Sequence, residues 1–203
     1  MYKKPIIVFE GIEGSGKSYH IKNVSNYLKK KKIKFIKIRE PGGSINSEKI
    51  RKLILNKKSK FDKFTDLLLY MASRNENFHN ILLKNNKKKI ILIDRFLDST
   101  IAYQHYGMGV NLKIIKYINS LILKKIKVNF TFLNTVNKKN LKLRLKKRKN
   151  LNRYDNFNFK FYSKVQNGFL KLAKNKKNYL IINSNLPIKL NKSIIFNKFK
   201  KLI

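Results

Sequence analysis

The stretch GIEGSGKS, residues 11–18, follows the apolar run PIIVFE (5–10) and precedes YHIKNVSNYLKK (19–30). Its pattern, G-x-x-x-x-G-K-S, is typical of a loop whose backbone N–H groups surround the phosphates of a nucleoside triphosphate. In such a loop Lys17 reaches the β- and γ-phosphates and Ser18 ligates magnesium. The helix that follows supplies aligned N–H groups and a dipole that favours anions. The stretch therefore predicts a phosphate-binding loop between a first strand and a first helix.

An acid in the middle of this loop, Glu13, does not fit phosphate binding alone. A carboxylate next to bound phosphates repels them, so Glu13 is either turned into solvent or holds a group other than phosphate. The loop residues predicted to bind the nucleotide are Gly11, Ile12, Glu13, Gly14, Ser15, Gly16, Lys17 and Ser18.

Charge is the unusual bulk property of the chain. The 203 residues carry 49 Lys and Arg against 10 Asp and Glu, a formal net charge of +39. Such a balance is typical of proteins with polyanionic partners. The lysines are, however, scattered and accompanied by many asparagines and isoleucines, a composition that an AT-rich coding sequence also favours. We therefore expect no specific nucleic-acid partner.

Several chemistries are excluded by composition. The chain has no cysteine, so disulfides, thiolate nucleophiles and sulfur-ligated zinc are excluded. The three histidines show no metal-ligand spacing, and no apolar run approaches the roughly 18 residues that a membrane span needs. These observations favour a soluble cytoplasmic protein.

Short β-branched runs alternate with longer helix-period segments, which is typical of a parallel α/β sheet with crossover helices. We predict one domain, 1–203, with five strands, of which the first, third and fifth are apolar enough to be buried on both faces. The predicted strands are 5–10, 34–39, 89–94, 128–134 and 179–183. The predicted helices are 17–31, 44–56, 64–85, 96–105, 111–124, 137–148, 158–175 and 187–201.

Polar residues at the carboxyl ends of these strands predict a ligand site at that edge of the sheet. Asp94 follows the third strand and resembles the acid that positions magnesium, while Arg95 next to it can equally form a structural ion pair. Arg39 ends the second strand, so Arg39 and Arg95 together predict a site for a second phosphate group.

Two further segments leave alternatives open. Tyr70 and Arg74 are four apart on a predicted helix and hence on one face. They are either a core aromatic beside an exposed arginine, or a platform for a nucleobase with an arginine at its edge. The basic segment 144–156 is either an exposed solvated loop or a lid that closes over anionic ligands.

Together these motifs resemble bacterial thymidylate kinases. FEGIEGSGKS (9–18), REPGGS (39–44), LLLYMASR (67–74), DRFLDSTIAYQ (94–104) and FYSKVQNGFLKLA (161–173) occur in the order and spacing of that family. The resemblance implies the P-loop nucleoside monophosphate kinase fold, with five parallel strands, flanking helices and a short basic lid. It also implies transfer of the ATP γ-phosphate to dTMP with Mg²⁺, and a homodimer.

The resemblance also implies roles for single residues. Glu13 would accept a hydrogen bond from the sugar 3′-hydroxyl of the acceptor, which explains an acid in the loop. Tyr70 would stack on thymine, Arg74 would read its carbonyl, and Tyr103 would crowd the 2′ position. The remaining acceptor-binding residues would be Arg39 and Arg95 at the phosphate and Ser99, Thr100 and Gln104 at the base and sugar.

Because the loop contains no arginine, the family pattern assigns the catalytic cation to the lid. Arg148 and Arg153 match that pattern, with Arg153 favoured, and Arg144 would contact ATP. The catalytic residues implied are thus Lys17, Arg95, Arg148 and Arg153, with Ser18 and Asp94 at the metal.

The chain departs from the family pattern at a few positions. Met108 replaces an arginine, Gln166 stands where arginine is common, Tyr19 follows Ser18, and Asp155 replaces a lid glutamate. Two other functions stay open at this stage. One is a kinase for a different deoxynucleotide, and the other is a nucleic-acid-binding ATPase whose charge is functional.

Overall fold

The computed structural model describes residues 4–124, 126–148 and 152–203. Its centre is a parallel sheet of five strands in the order β2-β3-β1-β4-β5. The strands are β1 (Ile6–Glu10), β2 (Phe35–Arg39), β3 (Ile90–Asp94), β4 (Phe130–Thr135) and β5 (Tyr179–Asn183). All five predicted strands are present, each within two residues of its predicted bounds, so the α/β prediction is confirmed.

The prediction of which strands are buried was partly wrong. β1 and β3 are buried almost throughout, but in β5 only Ile182 is buried, and β4 is buried in its place. The strand order explains the difference, because β4 lies between β1 and β5, whereas β5 is an edge strand. The polar residues Thr131 and Asn134, which made β4 look less apolar, are themselves buried.

The eight predicted helices are all present. The α-helices are α1 (Lys17–Lys30), α2 (Ile45–Leu55), α3 (Lys63–Asn77), α4 (Leu97–Thr100), α5 (Leu112–Leu123), α6 (Lys138–Lys146), α7 (Phe159–Ala173) and α8 (Ile188–Lys200). Two of them change geometry along their length. α3 continues through a π-helical turn, Phe78–Leu82, and a last turn, Leu83–Asn85, while α4 continues as the π-helix Ile101–Gly107. No helix among the described residues is long and apolar enough to cross a bilayer.

Helices cover both faces of the sheet because successive strand residues point to opposite sides. On one face Ile7, Phe9 and Leu92 pack against apolar residues of α1 and α8. On the other face Val8 and Ile93 pack against the end of α3 and α5. The interior strands are therefore sandwiched between two apolar layers, as a doubly wound sheet requires.

Parallel pairing brings the carboxyl ends of the strands to one edge. Arg39 is in register with Asp94, and Phe9 with the same Asp94 on the other side. The loop 11–16 therefore begins beside the ends of β2 and β3, where sheets of this type bind ligands.

The predicted lid, 144–156, is helical at both ends of its described part. Its first residues belong to α6, and Arg153–Asn156 form a 3₁₀ turn that begins with a capping box between Asn152 and Asp155. The central residues 149–151 lie outside the described residues.

Candidate active site

A cavity of about 600 Å³ opens at the carboxyl edge of the sheet. It brings together nearly all the residues that the sequence predicted. Those lining it are Glu13, Gly14, Ser15, Gly16, Lys17, Ser18, Arg39, Tyr70, Arg74, Asp94, Arg95, Ser99, Thr100, Tyr103, Gln104, Arg144 and Arg148. Three predicted residues, Gly11, Ile12 and Arg153, are not part of the lining.

The loop 11–16, predicted to bind phosphate, closes around Lys17. Its Nζ donates to the carbonyl oxygens of Gly11, at 2.8 Å, and Ile12, at 2.9 Å. Burial lowers the pKa of Lys17 from its ordinary value to about 8. Gly11 and Ile12 thus contribute through their backbone carbonyls, while the Ile12 side chain packs in the core.

Gly11 also explains why the loop can turn directly after β1. A Cβ added at this position would lie 2.2 Å from the carbonyl oxygen of Asn134 on β4. No side chain fits there, so the close approach of loop and sheet requires glycine.

Glu13 is not turned into solvent. Its Oε1 accepts a 2.8 Å bond from Arg95 Nη2, and its Oε2 accepts from the hydroxyl of Tyr103. Burial alone would raise the pKa of Glu13, but Arg95 and then Lys17 outweigh it, so the pKa lies below its usual range. The carboxylate is therefore ionised, and Glu13 lines the cavity.

Arg95 has a backbone conformation that non-glycine residues rarely adopt, with φ at 67°. Its Nη1 donates to the Gly11 carbonyl at 2.8 Å, and its guanidinium lies 5.1 Å from the centre of the Tyr103 ring. Strain of this kind persists only where surrounding contacts enforce it, and it is common at functional sites.

Ser18 and Asp94 lie together, as the metal prediction requires. Ser18 Oγ donates to Asp94 Oδ2 at 3.5 Å, and Asp94 Oδ1 is buried with no hydrogen-bond partner among the described residues. Among the described residues, no group of three or more His, Cys, Asp or Glu side chains is arranged so that it could hold a metal ion. A hydroxyl and one unpartnered carboxylate oxygen fit Mg²⁺, which takes one or two protein ligands and completes its shell with phosphate and water.

Arg74 is buried, so the alternative of an exposed arginine on α3 is wrong. Nε donates to Glu40 at 2.8 Å, Nη1 to Asn119 at 2.7 Å and Nη2 to Thr100 at 2.9 Å. Nη2 carries two hydrogens, and one remains after the bond to Thr100. Arg74 can thus donate one hydrogen bond to a ligand from a fixed position.

Arg51 lines the cavity and was missed by the sequence analysis. Its Nη1 donates to the carbonyl of Pro41 at 2.6 Å. It lies four residues after the buried Ser47 and four before Leu55, which also lines the cavity. This helical spacing was the signal that could have identified it. Arg39 nearby is more exposed and pairs with Glu48 at 3.1 Å.

The three lid arginines have different surroundings. Arg144 donates to the carbonyl oxygens of Gly14 and Ser184, and so joins α6 to the phosphate-binding loop. Arg148 faces the cavity and pairs with Asp155. Arg153 pairs with Asp66 and lies over the ring of Phe61, so its guanidinium is outside the cavity in this structure.

Tyr154 lies in the segment 144–156, for which the sequence leaves open an exposed loop or a lid, and its side chain is buried. Its ring meets those of Tyr70, at 6.1 Å, and Tyr103, at 5.8 Å, and it lines the cavity. No sequence signal distinguished it from the polar residues around it, since its burial depends on the position of α3 and α4.

Comparison with known proteins indicates a single family. Residues 9–195 match the family model described as thymidylate kinase. The thymidylate kinase of Sulfurihydrogenibium sp. (strain YO3AOP1) is 37% identical over 198 residues, 96% of each chain. That of Thermosipho africanus (strain TCF52B) is 38% identical over 183 residues, 90% of each chain. The crystal structure of thymidylate kinase from Ehrlichia chaffeensis superposes with a TM-score of 0.78 at 29% identity, covering 98% of this chain and 99% of that one.

Proposed function

Because the chain belongs to the thymidylate kinase family and is a phosphotransferase that makes dTDP from dTMP, we propose that its cavity holds ATP on the phosphate-binding loop and dTMP beside α3 and α4. The position of Glu13 carries this assignment. The residue belongs to the loop, yet both of its side-chain partners come from outside it, Arg95 from the end of β3 and Tyr103 from the helix that continues α4. A carboxylate there faces the acceptor and suits a hydroxyl donor such as the 3′-OH of dTMP.

The donor half uses the loop amides, Lys17 and α1. ATP would draw Lys17 Nζ away from the loop carbonyls and toward the β- and γ-phosphates, where its charge is better compensated. Ser18 and Asp94 would hold Mg²⁺, which supplies positive charge at the transferred phosphate when it is bound. Arg144, which already contacts Gly14, would extend this half toward the nucleoside of ATP.

The acceptor half has a cationic end and an aromatic end. Arg39, Arg51 and Arg95 line the cavity and would bind the dTMP phosphate. Tyr70 offers a ring face for thymine, and Arg74 offers a donor for its carbonyl. Ser99, Thr100 and Gln104 would contact the base and sugar, and Tyr103 would crowd a 2′-hydroxyl.

The transfer needs little covalent chemistry from the protein. An oxygen of the dTMP phosphate attacks the γ-phosphorus, the bond to the β–γ bridging oxygen breaks, and ADP leaves with the negative charge. The chain's part is to align the two nucleotides and to balance charge at the transferred group, through Lys17 and the lid arginines. Arg148 is the lid arginine best suited to this, because it lines the cavity, whereas Arg153 pairs with Asp66. Arg144 also lines the cavity, but its guanidinium is held by the carbonyl oxygens of Gly14 and Ser184.

Lid closure would also exclude water, which competes with dTMP as the phosphoryl acceptor. The segment 144–156 therefore has two proposed roles, a cation at the transferred phosphate and a cover over it.

A homodimer and a cytoplasmic location belong to the same proposal. The helices α2 and α3 pack together, as do α3 and α5, and each leaves large apolar side chains exposed. They are Ile45 and Leu53 on α2, Phe64 and Leu68 on α3, and Ile114, Tyr117 and Leu121 on α5. An apolar surface of this kind is best covered by a second copy of the chain.

The direct test is ADP release from Mg-ATP with dTMP, dUMP, dCMP, dGMP, AMP or single-stranded DNA as the second component. Highest kcat/KM with dTMP is expected. Turnover of another monophosphate at a higher kcat/KM would reassign the acceptor. Stimulation by DNA without turnover of any monophosphate would instead support a nucleic-acid-dependent ATPase.

A further inference from the structure

We propose that Asp66 is a specificity-determining positioning residue, which holds the Gln104 side-chain amide in one orientation so that the acceptor site accepts thymine and rejects cytosine. This inference rests on the proposed acceptor site. Asp66 itself does not line the cavity and acts through Gln104.

Asp66 is a buried acid in the first turn of α3, one turn before Tyr70. Three side chains donate to it. They are Gln104 through Nε2 at 3.1 Å, Tyr154 through its hydroxyl, and Arg153 through Nη2. A carboxylate is only an acceptor, so each of these partners must present a hydrogen to it.

This requirement fixes the Gln104 amide. Its Nε2 has two hydrogens, and the two acceptors within reach are Asp66 Oδ2 and the Tyr154 hydroxyl oxygen at 3.5 Å. A flipped amide would place its oxygen against the Asp66 carboxylate, two acceptors in contact in a buried site. The Oε1 atom is thus directed away from Asp66, and it is buried without a partner among the described residues.

Gln104 therefore offers a ligand an acceptor and no donor. Its neighbour Arg74 offers only a donor, and the two are linked through Thr100, which lies one helical turn before Gln104 and accepts from Arg74 Nη2. A donor beside an acceptor matches thymine, which has an acceptor at O4 and a donor at N3. Cytosine has the reverse pattern, a donor at N4 and an acceptor at N3.

The proposal predicts that Asp66→Asn relaxes base selection. An asparagine can present either an oxygen or an N–H group to Gln104, so both amide orientations become available. Sites that hydrogen-bond a substrate discriminate strongly against analogues lacking the matching group. We expect the ratio of the Kd of dCMP to that of dTMP to fall about tenfold or more. Titration calorimetry gives both constants, with displacement titration for the weaker ligand.

Arg153→Gln is the matched control. It removes the ion pair of Asp66 with the lid but leaves the carboxylate facing Gln104, so the dCMP to dTMP ratio should stay within about twofold of wild type. ATP affinity is measured alongside, because a general loss of structure lowers all three affinities. A ratio that is unchanged in Asp66→Asn, or that falls equally in Arg153→Gln, would overturn the proposal.

Gln104→Leu tests the inference independently should Asp66→Asn fail to fold. The ratio must also fall in this variant, and an unchanged ratio would overturn the proposed role of the amide. Failure of the proposed function is recognised separately, because wild-type protein that does not prefer dTMP defeats both ideas. A wild-type preference for dTMP with no change in the variants defeats only the inference about Asp66.

Discussion

Glu13 lies between a guanidinium and a phenol hydroxyl, and these contacts fix both its charge and its direction. Arg95 counteracts the cost of burial, so the carboxylate stays ionised. A hydrogen bond to a charged group contributes about 1.5–3 kcal/mol. Removing the charge of Glu13 should therefore weaken whatever ligand it holds by about 10- to 100-fold.

We expect Glu13→Gln to raise the KM for dTMP by about that factor and the KM for ATP by less than about threefold. Initial rates with each substrate varied in turn distinguish the two effects. Glu76→Gln, a change of the same type at a residue that does not line the cavity, is the control and should leave both constants unchanged. Equal increases for dTMP and ATP in Glu13→Gln would contradict the role in acceptor binding.

Lys17 should make nucleotide binding sensitive to pH. Its folded-state pKa of about 8 means that the free protein loses this charge as the pH rises through 8. Because ATP binds the protonated form more tightly, ATP affinity should fall about twofold between pH 7 and 8 and then approach a loss of about tenfold per pH unit. Calorimetric Kd values between pH 7 and 9.5 measure this. Lys17→Arg is the control, since its guanidinium does not titrate there and its profile should be flat.

At the scale of elements, Gln166 joins α7 to the end of β4. Its Oε1 accepts from the Val136 N–H at 2.9 Å, and its Nε2 donates to the Val136 carbonyl at 3.1 Å. Val136 is buried, so water cannot replace these bonds. Glutamine here therefore has a structural role at a position where the family commonly has arginine.

Gln166→Ala leaves two buried backbone groups unsatisfied and should lower the free energy of unfolding by about 2 kcal/mol. For a chain of this length that corresponds to a fall in Tm of about 4–8 °C. Gln166→Glu keeps the acceptor for the Val136 N–H but sets a carboxylate oxygen against the Val136 carbonyl, so its Tm should also fall below that of wild type. If the Tm of Gln166→Ala lies within about 1 °C of the wild-type Tm, the structural role of Gln166 is refuted.

The lid is the element in which sequence and contacts favour different arginines. The family pattern favours Arg153, but its guanidinium is held by Asp66, whereas Arg148 faces the cavity. Arg148→Ala should lower kcat by about 10² or more, because transition-state arginines contribute up to about 10³–10⁵. Arg153→Ala should have the smaller effect on kcat and the larger effect on Tm. The reverse order would show that the Asp66 pair opens during turnover.

At the scale of the whole molecule, the net charge of +39 opposes self-association, while the exposed apolar side chains of α2, α3 and α5 favour it. Salt screens the repulsion between two positive chains but leaves apolar contacts intact. The balance should therefore shift toward a dimer as ionic strength rises.

Sedimentation velocity at about 50 and 500 mM salt should show a dimer whose dissociation constant decreases with salt, since the Debye length shrinks severalfold over this range. Tyr117→Lys, in the middle of the exposed apolar side chains of α5, should give a monomer. Leu190→Lys adds the same charge at an exposed position of α8, outside those three helices, and should leave the dimer intact. A wild-type monomer at both salt concentrations would refute the proposed dimer.

Local patterns in the sequence determined the elements and most of the site. GIEGSGKS placed the phosphate-binding loop, because backbone amides, a lysine and a hydroxyl at fixed spacing are enough for that task. The carboxyl ends of the strands placed Arg39, Asp94 and Arg95 together, since parallel strands end at one edge. These features depend on residues close in the chain or on a general rule of sheet geometry.

What only the tertiary structure decided depends on contacts between distant segments. Tyr154 is buried because α3 and α4 lie beside it, Arg51 reaches the cavity because α2 is oriented toward it, and β5 is exposed because it ends the sheet. Asp66 and Gln104 are 38 residues apart, and neither has a local pattern that indicates their contact. Hydrogen-bond partners of this kind follow from packing, because a side chain's environment is set by the elements around it.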